Sequence, residues 1–270
     1  MCRWLFAAKP VTTMKHNPLI RFLTILRHSQ GGHGEGLWAP GVGVAKPVTI
    51  PQAACLLRDV GGLWHTRLTS SGIHHPELIH PFQFDRTILA HNGTEFNADI
   101  VASYLTATTG ELWSDTRVVA SLLAKYGKWE RMPFRLRPNS GVWVYTVNGG
   151  ATWTIRVESG SCEYDPVSGL WASELPYRQF PKAYRVKAGV YNPAVDIPEK
   201  PNWFAGMASQ VTGFPDSTTS LTYSGPGLSP TAKKNPPENV TVKRKGAASL
   251  LVERVFRFDG ESTRLWGDED

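Results

Sequence analysis

The chain has 270 residues, 41% of them hydrophobic, and a formal net charge of +6. That length buries one full core and at most a small appendage, which excludes two large enzymatic domains. Cys2, Cys55 and Cys162 are odd in number and widely spaced; without CxxC or Cys/His spacing they argue against a disulfide framework or a structural zinc, and a reducing, cytoplasmic setting is expected.

Along the chain, residues 2 to 8 alternate bulky side chains as a buried strand does. "HNPLIRFLTILRHS" follows, with Leu19, Ile20, Leu23 and Leu26 at helical spacing. "QGGHGEGLWAPGVGV" is too rich in glycine for a helix and reads as a loop feeding a second strand. "GLWHTRL" and "RTILAHNG" read as further strands, each ending in small polar residues. "NADIVASYLTA" and "SDTRVVASLLAKYG" read as helices, the second with Ser114 as N-cap and Gly127 near its end.

From Ser140 to Leu175 the sequence turns aromatic and β-branched, and Asn148-Gly149 between two such runs signals a hairpin. Residues 208 to 245 are dominated by Ser, Thr, Pro, Gly and Lys and read as a linker or an extended surface segment. "AASLLVERVFRF" within residues 246 to 270 reads as a short amphipathic helix before an acidic end. There is no internal repeat. Strands with helices between them suit an α+β domain, residues 2 to 207, with helices packed on stacked antiparallel sheets.

No run approaches the roughly 20 apolar residues that span a bilayer, and no basic, apolar and small-residue succession marks a signal peptide, so no membrane role is expected. The positive charge is thinly spread except at Lys233, Lys234, Lys243, Arg244 and Lys245, which read as a solvated segment. A nucleic-acid partner is not expected.

Cys2 directly follows the initiator methionine. Removing Met1 would leave a thiol and a free α-amino group on one residue, and an amine titrating near roughly 7.7 to 8.0 can act as base toward that thiol. Taken alone, Cys2 reads better as an ordinary small residue in a first strand. Three further stretches stand beside it: "HTRLTSSG" at 65 to 72, "AHNGTEFN" at 90 to 97 and "WSDTRVV" at 113 to 119.

Together and in this order, the four stretches resemble the glutaminase domain of class II glutamine amidotransferases, in the N-terminal nucleophile hydrolase superfamily, over roughly Cys2 to Tyr177. The resemblance implies a four-layer αββα sandwich and an N-terminal cysteine amidohydrolase that needs neither cofactor nor metal. It makes Cys2 the nucleophile toward the side-chain amide of L-glutamine. Asn92, through its side-chain amide, and Gly93, through its N–H, match the family's oxyanion hole, where fixed donors meet the charge of the tetrahedral intermediate. Arg67 matches the bidentate clamp for the substrate α-carboxylate. Asp115 matches the acceptor of the α-ammonium group and, in the first turn of a helix, is expected to stay ionised. Thr69, Ser70 and Ser71 are expected to add hydrogen bonds to the same carboxylate.

Other residues read more plainly. His65 is a structural strand residue outside the catalytic set. His74, His75 and His80 cluster without carboxylate or cysteine ligands, so no metal is expected there. His33 and Glu35 occupy the place of a loop that closes over glutamine, and serve equally well as a surface turn. Cys55 and Cys162 are expected as inert buried thiols. Three features depart from the family pattern: the loop lacks an Arg-Gly pair, Arg117 stands where an acid is common, and Leu68 follows Arg67. They bear on the lid contacts and the subfamily.

With no synthase domain recognisable, the expected product is ammonia passed to a separate synthetase or amidoligase. A γ-glutamyl amide or peptide hydrolase with the same nucleophile is the alternative, since some such relatives also open on Met-Cys-Arg. A non-catalytic scaffold, or a nucleic-acid-binding protein acting through residues 233 to 245, is the second.

Overall fold

The computed structural model describes residues 2 to 28, 34 to 68 and 75 to 200. The extended segment and terminal helix expected beyond residue 207 lie outside the described residues, as do His33, His74, Thr69, Ser70 and Ser71.

In chain order the elements are β1 (Arg3–Ala7), α1 (His16–His28), β2 (Glu35–Ala39), β3 (Gly43–Ala45), α2 (Ile50–Val60), β4 (Gly62–Thr66), β5 (Phe82–Phe84), β6 (Thr87–Asn92), α3 (Phe96–Thr109), α4 (Asp115–Tyr126), β7 (Val142–Thr146), β8 (Thr154–Val157), β9 (Glu163–Asp165), β10 (Leu170–Ala172), β11 (Tyr184–Arg185) and β12 (Gly189–Tyr191). Among the described residues the fold is mixed α and β, with two antiparallel sheets and four α-helices. The seven-stranded sheet runs β11-β9-β10-β1-β4-β2-β3, and the five-stranded sheet runs β12-β8-β7-β6-β5.

The two-residue period of a strand explains how one sheet serves two cores. Leu5 and Ala7 of β1, Leu37 and Ala39 of β2, Trp64 of β4 and Leu170 and Ala172 of β10 join a cluster with Leu19, Phe22, Leu23 and Leu26 of α1 and Ala53, Ala54 and Leu57 of α2. Their neighbours Trp4, Phe6, Trp38, Leu63 and Trp171 turn the other way. They pack with Ile88, Ala90, Val142, Val144, Ile155 and Val157 of the five-stranded sheet. Helix α4 contacts β5 and β6, and α3 contacts α4.

Two stretches differ from expectation. Part of the glycine-rich run read as a loop is the β2-β3 hairpin, where Gly41 and Gly43 take φ of +75° and +80° at the turn and leave the flanking residues extended. Helix α2 was not foreseen. Thr49 and Gln52 cap its start reciprocally, and Gly61 closes its end. Its inward positions are Ile50, Ala53, Ala54 and Leu57, so Cys55 points outward and is exposed, against the expectation of burial, whereas Cys162 is buried. Among the described residues no helix is long and apolar enough to cross a membrane.

Candidate active site

Antiparallel pairing brings the first two candidate residues together. Arg3 lies opposite Thr66, so Cys2, just before β1, stands beside Arg67, just after β4. Cys2 is 8% exposed, and its thiol donates to the Leu68 carbonyl at 3.6 Å. Burial pushes that thiol up, and the nearby Arg67 cation partly opposes the shift.

Asn92 and Gly93 arrive from the other sheet. Asn92 ends β6 opposite Val142 of β7, and Gly93 follows it. Cys2, Leu68, Asn92, Gly93, Thr94, Ser140, Gly141, Ser159 and Gly160 line one cavity of about 430 Å³. Asn92 is buried, and its Oδ1 makes no hydrogen bond among the described residues. The cavity wall is held by its own hydroxyls: Ser140 Oγ donates to the Thr94 carbonyl at 2.9 Å, and Ser159 Oγ accepts from Gly141 N at 2.9 Å.

Gly93 sits in a seat that fits only glycine. A Cβ there would lie 2.5 Å from His91 Nε2 and 2.9 Å from Gly141 Cα. At Gly141, with φ +76°, it would lie 2.4 Å from the same nitrogen.

Arg67 is buried, with its backbone N–H on the Gly34 carbonyl at 3.0 Å. Burial lowers the pKa of its guanidinium, while Cys2 and Asp115 act against that, so the three groups lie within electrostatic reach of one another. Arg67 and Asp115 do not line the cavity itself.

Asp115 opens α4 behind Ser114, whose Oγ accepts from Arg117 N at 3.2 Å. Its Oδ2 accepts from Glu95 N at 2.9 Å, and its Oδ1 accepts from Thr116 N at 2.7 Å and Thr116 Oγ1 at 3.1 Å. Burial raises the pKa of this carboxyl; the hydrogen bonds from Glu95 and Thr116, and the Arg67 charge, oppose the rise. Helix-terminus stabilisation of the anion therefore works against desolvation.

Several neighbours have their own structural work. Arg117 donates to the Leu112 carbonyl and to Glu111 and lies over the Trp113 ring, bracing the start of α4. Glu35 opens β2 as a buried residue ion-paired with Arg27 at 2.8 Å, in a strand and not in a surface turn. His75 caps a short turn by accepting from Glu77 N. Among the described residues no group of His, Cys, Asp and Glu is arranged to hold a metal ion.

His65, His80 and His91 are joined by hydrogen bonds beside the site. Sequence reading makes His65 a structural strand residue and His80 a member of a histidine cluster, and it assigns no role to His91. Their sequence signal is position: His65 stands two residues before Arg67, and His91 immediately before Asn92.

No protein-family model and no curated protein matches the sequence. A solved structure of a glutamine aminotransferase class-II domain protein from Silicibacter pomeroyi is similar to this chain at 14% identity and a TM-score of 0.41, over 71% of this chain and 94% of that one.

Proposed function

We propose that the protein is a stand-alone class II glutamine amidotransferase or glutaminase of four-layer αββα architecture, hydrolysing the side-chain amide of glutamine through a thioester on Cys2. The observation that carries this reading is that Cys2 from one sheet and Asn92 and Gly93 from the other line a single cavity. A nucleophile facing polar donors across a small cavity is the arrangement acyl transfer requires.

In this mechanism Met1 is removed, and the α-amino group of Cys2 takes the thiol proton as sulfur attacks the γ-carbonyl carbon. The carbonyl electron pair moves to oxygen, where the Asn92 amide and Gly93 N–H stabilise it. The carbonyl re-forms as the C–N bond breaks, and the ammonium returns its proton to the departing nitrogen to give ammonia. Water then attacks the thioester and releases glutamate and the free thiol. Arg67 receives the substrate α-carboxylate with help from Thr69, Ser70 and Ser71, and Asp115 receives the α-ammonium. The hydrogen bonds from Glu95 and Thr116 fix the Asp115 carboxylate in orientation. The ammonia passes to a separate synthetase or amidoligase.

The test is the intact mass of the protein before and after incubation with diazo-oxo-norleucine, an electrophilic glutamine analogue, with Cys2→Ala as control. The expected result is a mass lacking Met1 plus one adduct that Cys2→Ala abolishes. Retained Met1, or an adduct independent of Cys2, overturns the mechanism.

A further inference from the structure

Among the described residues β5 pairs with β6 only at Thr87, Ile88 and Leu89, and no strand continues that pairing past Leu89. Two imidazoles take up the peptide groups left over at His91. The His91 N–H donates to His80 Nδ1 at 3.5 Å, and the His91 carbonyl lies 3.1 Å from His65 Nε2. His80 Nδ1 is also 3.1 Å from His65 Nε2. A backbone N–H can only donate, so His80 Nδ1 is unprotonated. The hydrogen between the two rings then sits on His65 Nε2, shared by His80 and the His91 carbonyl. Because His65 belongs to β4 and His91 to β6, this hydrogen bond joins the two sheets.

The three rings are 0%, 4% and 1% exposed for His65, His80 and His91. Burial holds them neutral: His65 and His91 are lowered to about 3, and His80 is well below the ordinary range. Neutral rings cannot donate protons as acids near pH 7, but they make fixed donors and acceptors. They also adjoin the groups of interest. His65 lies opposite Trp4, two residues from Cys2. The His91 ring stacks on Trp143 at 3.6 Å and 5°. Its Nδ1 is 3.4 Å from Thr116 Oγ1 and 3.7 Å from Asp115 Oδ2, and its Nε2 edge bears on Gly93 and Gly141.

We infer that His65 and His80 are positioning residues, an uncharged imidazole bridge to the His91 backbone that takes over where the β5-β6 pairing stops and sets the separation between Cys2 on one sheet and the Asn92 and Gly93 donors on the other. Its catalytic consequence rests on the amide hydrolysis proposed above. The bridge differs from ordinary core packing in one respect: breaking it displaces the oxyanion donors without impairing the nucleophile.

The test compares the full-length protein with His65→Phe, which keeps a ring and loses the donor, and His65→Gln, which keeps a donor. For His65→Phe we expect kcat for ammonia release from glutamine to fall about thirtyfold or more, with KM changed little, as when an oxyanion donor is displaced. Alkylation of Cys2 by iodoacetamide, which needs no oxyanion donor, should stay within about twofold. His65→Gln should recover most of kcat. Amide hydrogen exchange at Asn92, Gly93 and Thr94 should accelerate about tenfold in His65→Phe, while α1 and α2 keep their protection. An unchanged kcat, or equal losses in kcat, alkylation and global protection, overturns the inference. If the unmodified protein releases no ammonia, the hydrolase reading falls, and exchange at Asn92 to Thr94 alone decides the bridge: local acceleration upholds it and unchanged exchange overturns it. His80→Phe supplies the same readouts where His65→Phe does not accumulate.

Discussion

One methyl group is enough to disturb the cavity. Gly93→Ala would drive Cβ into the His91 ring and the Gly141 backbone, and the ring is backed by Trp143 and cannot retreat freely. The strain should cost about 1 to 3 kcal/mol in stability and about a hundredfold in ammonia release if Gly93 N–H is an oxyanion donor. Urea unfolding and steady-state kinetics measure the two separately; a variant with full activity would remove Gly93 from that role. At this scale Cys2, Asn92 and Gly93 each stand in a short sequence motif and line one cavity, whereas Arg67 and Asp115, singled out with them, do not line it. The histidine bridge was not legible, since its bonds depend on where β5 stops beside β6. Cys55 was misjudged for a related reason: a cysteine's burial is set by the helix face it falls on, and α2 had not been recognised.

At the level of elements, α4 shows how a local signal serves a distant group. Ser114 caps the helix, and the residue that follows it, Asp115, accepts the backbone N–H of Glu95 at the start of α3. Ser114→Ala should cost about 1 kcal/mol of stability in urea melts, while alkylation of Cys2 by iodoacetamide stays unchanged; a loss of alkylation would tie the cap directly to the nucleophile. This cap was readable, as was the αL glycine at Gly127 that ends the helix. The Asn148-Gly149 signal also marked a real connection, between β7 and β8. There the loop is longer than a two-residue turn, and Asn148 Oδ1 accepts from Thr152 N and Thr146 Oγ1. The β2-β3 hairpin was obscured because glycine content argues against a helix without separating turn from short strand. Helix α2 did carry a readable capping box in Thr49 and Gln52, but its eleven residues follow closely on that glycine-rich run.

For the whole molecule, buried neutral histidines make stability a function of pH. Their folded pKa values lie below the ordinary 6.5, so below that value the unfolded chain binds more protons and acid favours unfolding. Lowering the pH from 7 to 5.5 should remove on the order of 1 kcal/mol for each of His65 and His91, with His80 acting in the same direction. Burial of Asp115 and Glu35 raises their carboxyl pKa values and acts in the opposite sense, because there the folded state holds the proton more tightly. Urea melts at the two pH values should therefore show a smaller loss in His80→Gln than in the unmodified protein. Equal losses would mean that the rings do not stay neutral. The alternation that builds two cores from one sheet was visible in β1 from its sequence, but which strands lie next to it was not, because the order β10-β1-β4 joins segments from opposite ends of the described chain. Cys2 and the Asn92-Gly93 pair that shares its cavity come from different sheets, which meet through a contact made largely of interlocked Trp, Phe and Val side chains. A loosened globule that kept both hydrogen-bonded ladders but lost this interlocking would retain its far-ultraviolet spectrum and, on the proposed hydrolysis, forfeit turnover, so that ammonia release would report the seating of one layer on another before any loss of secondary structure became measurable.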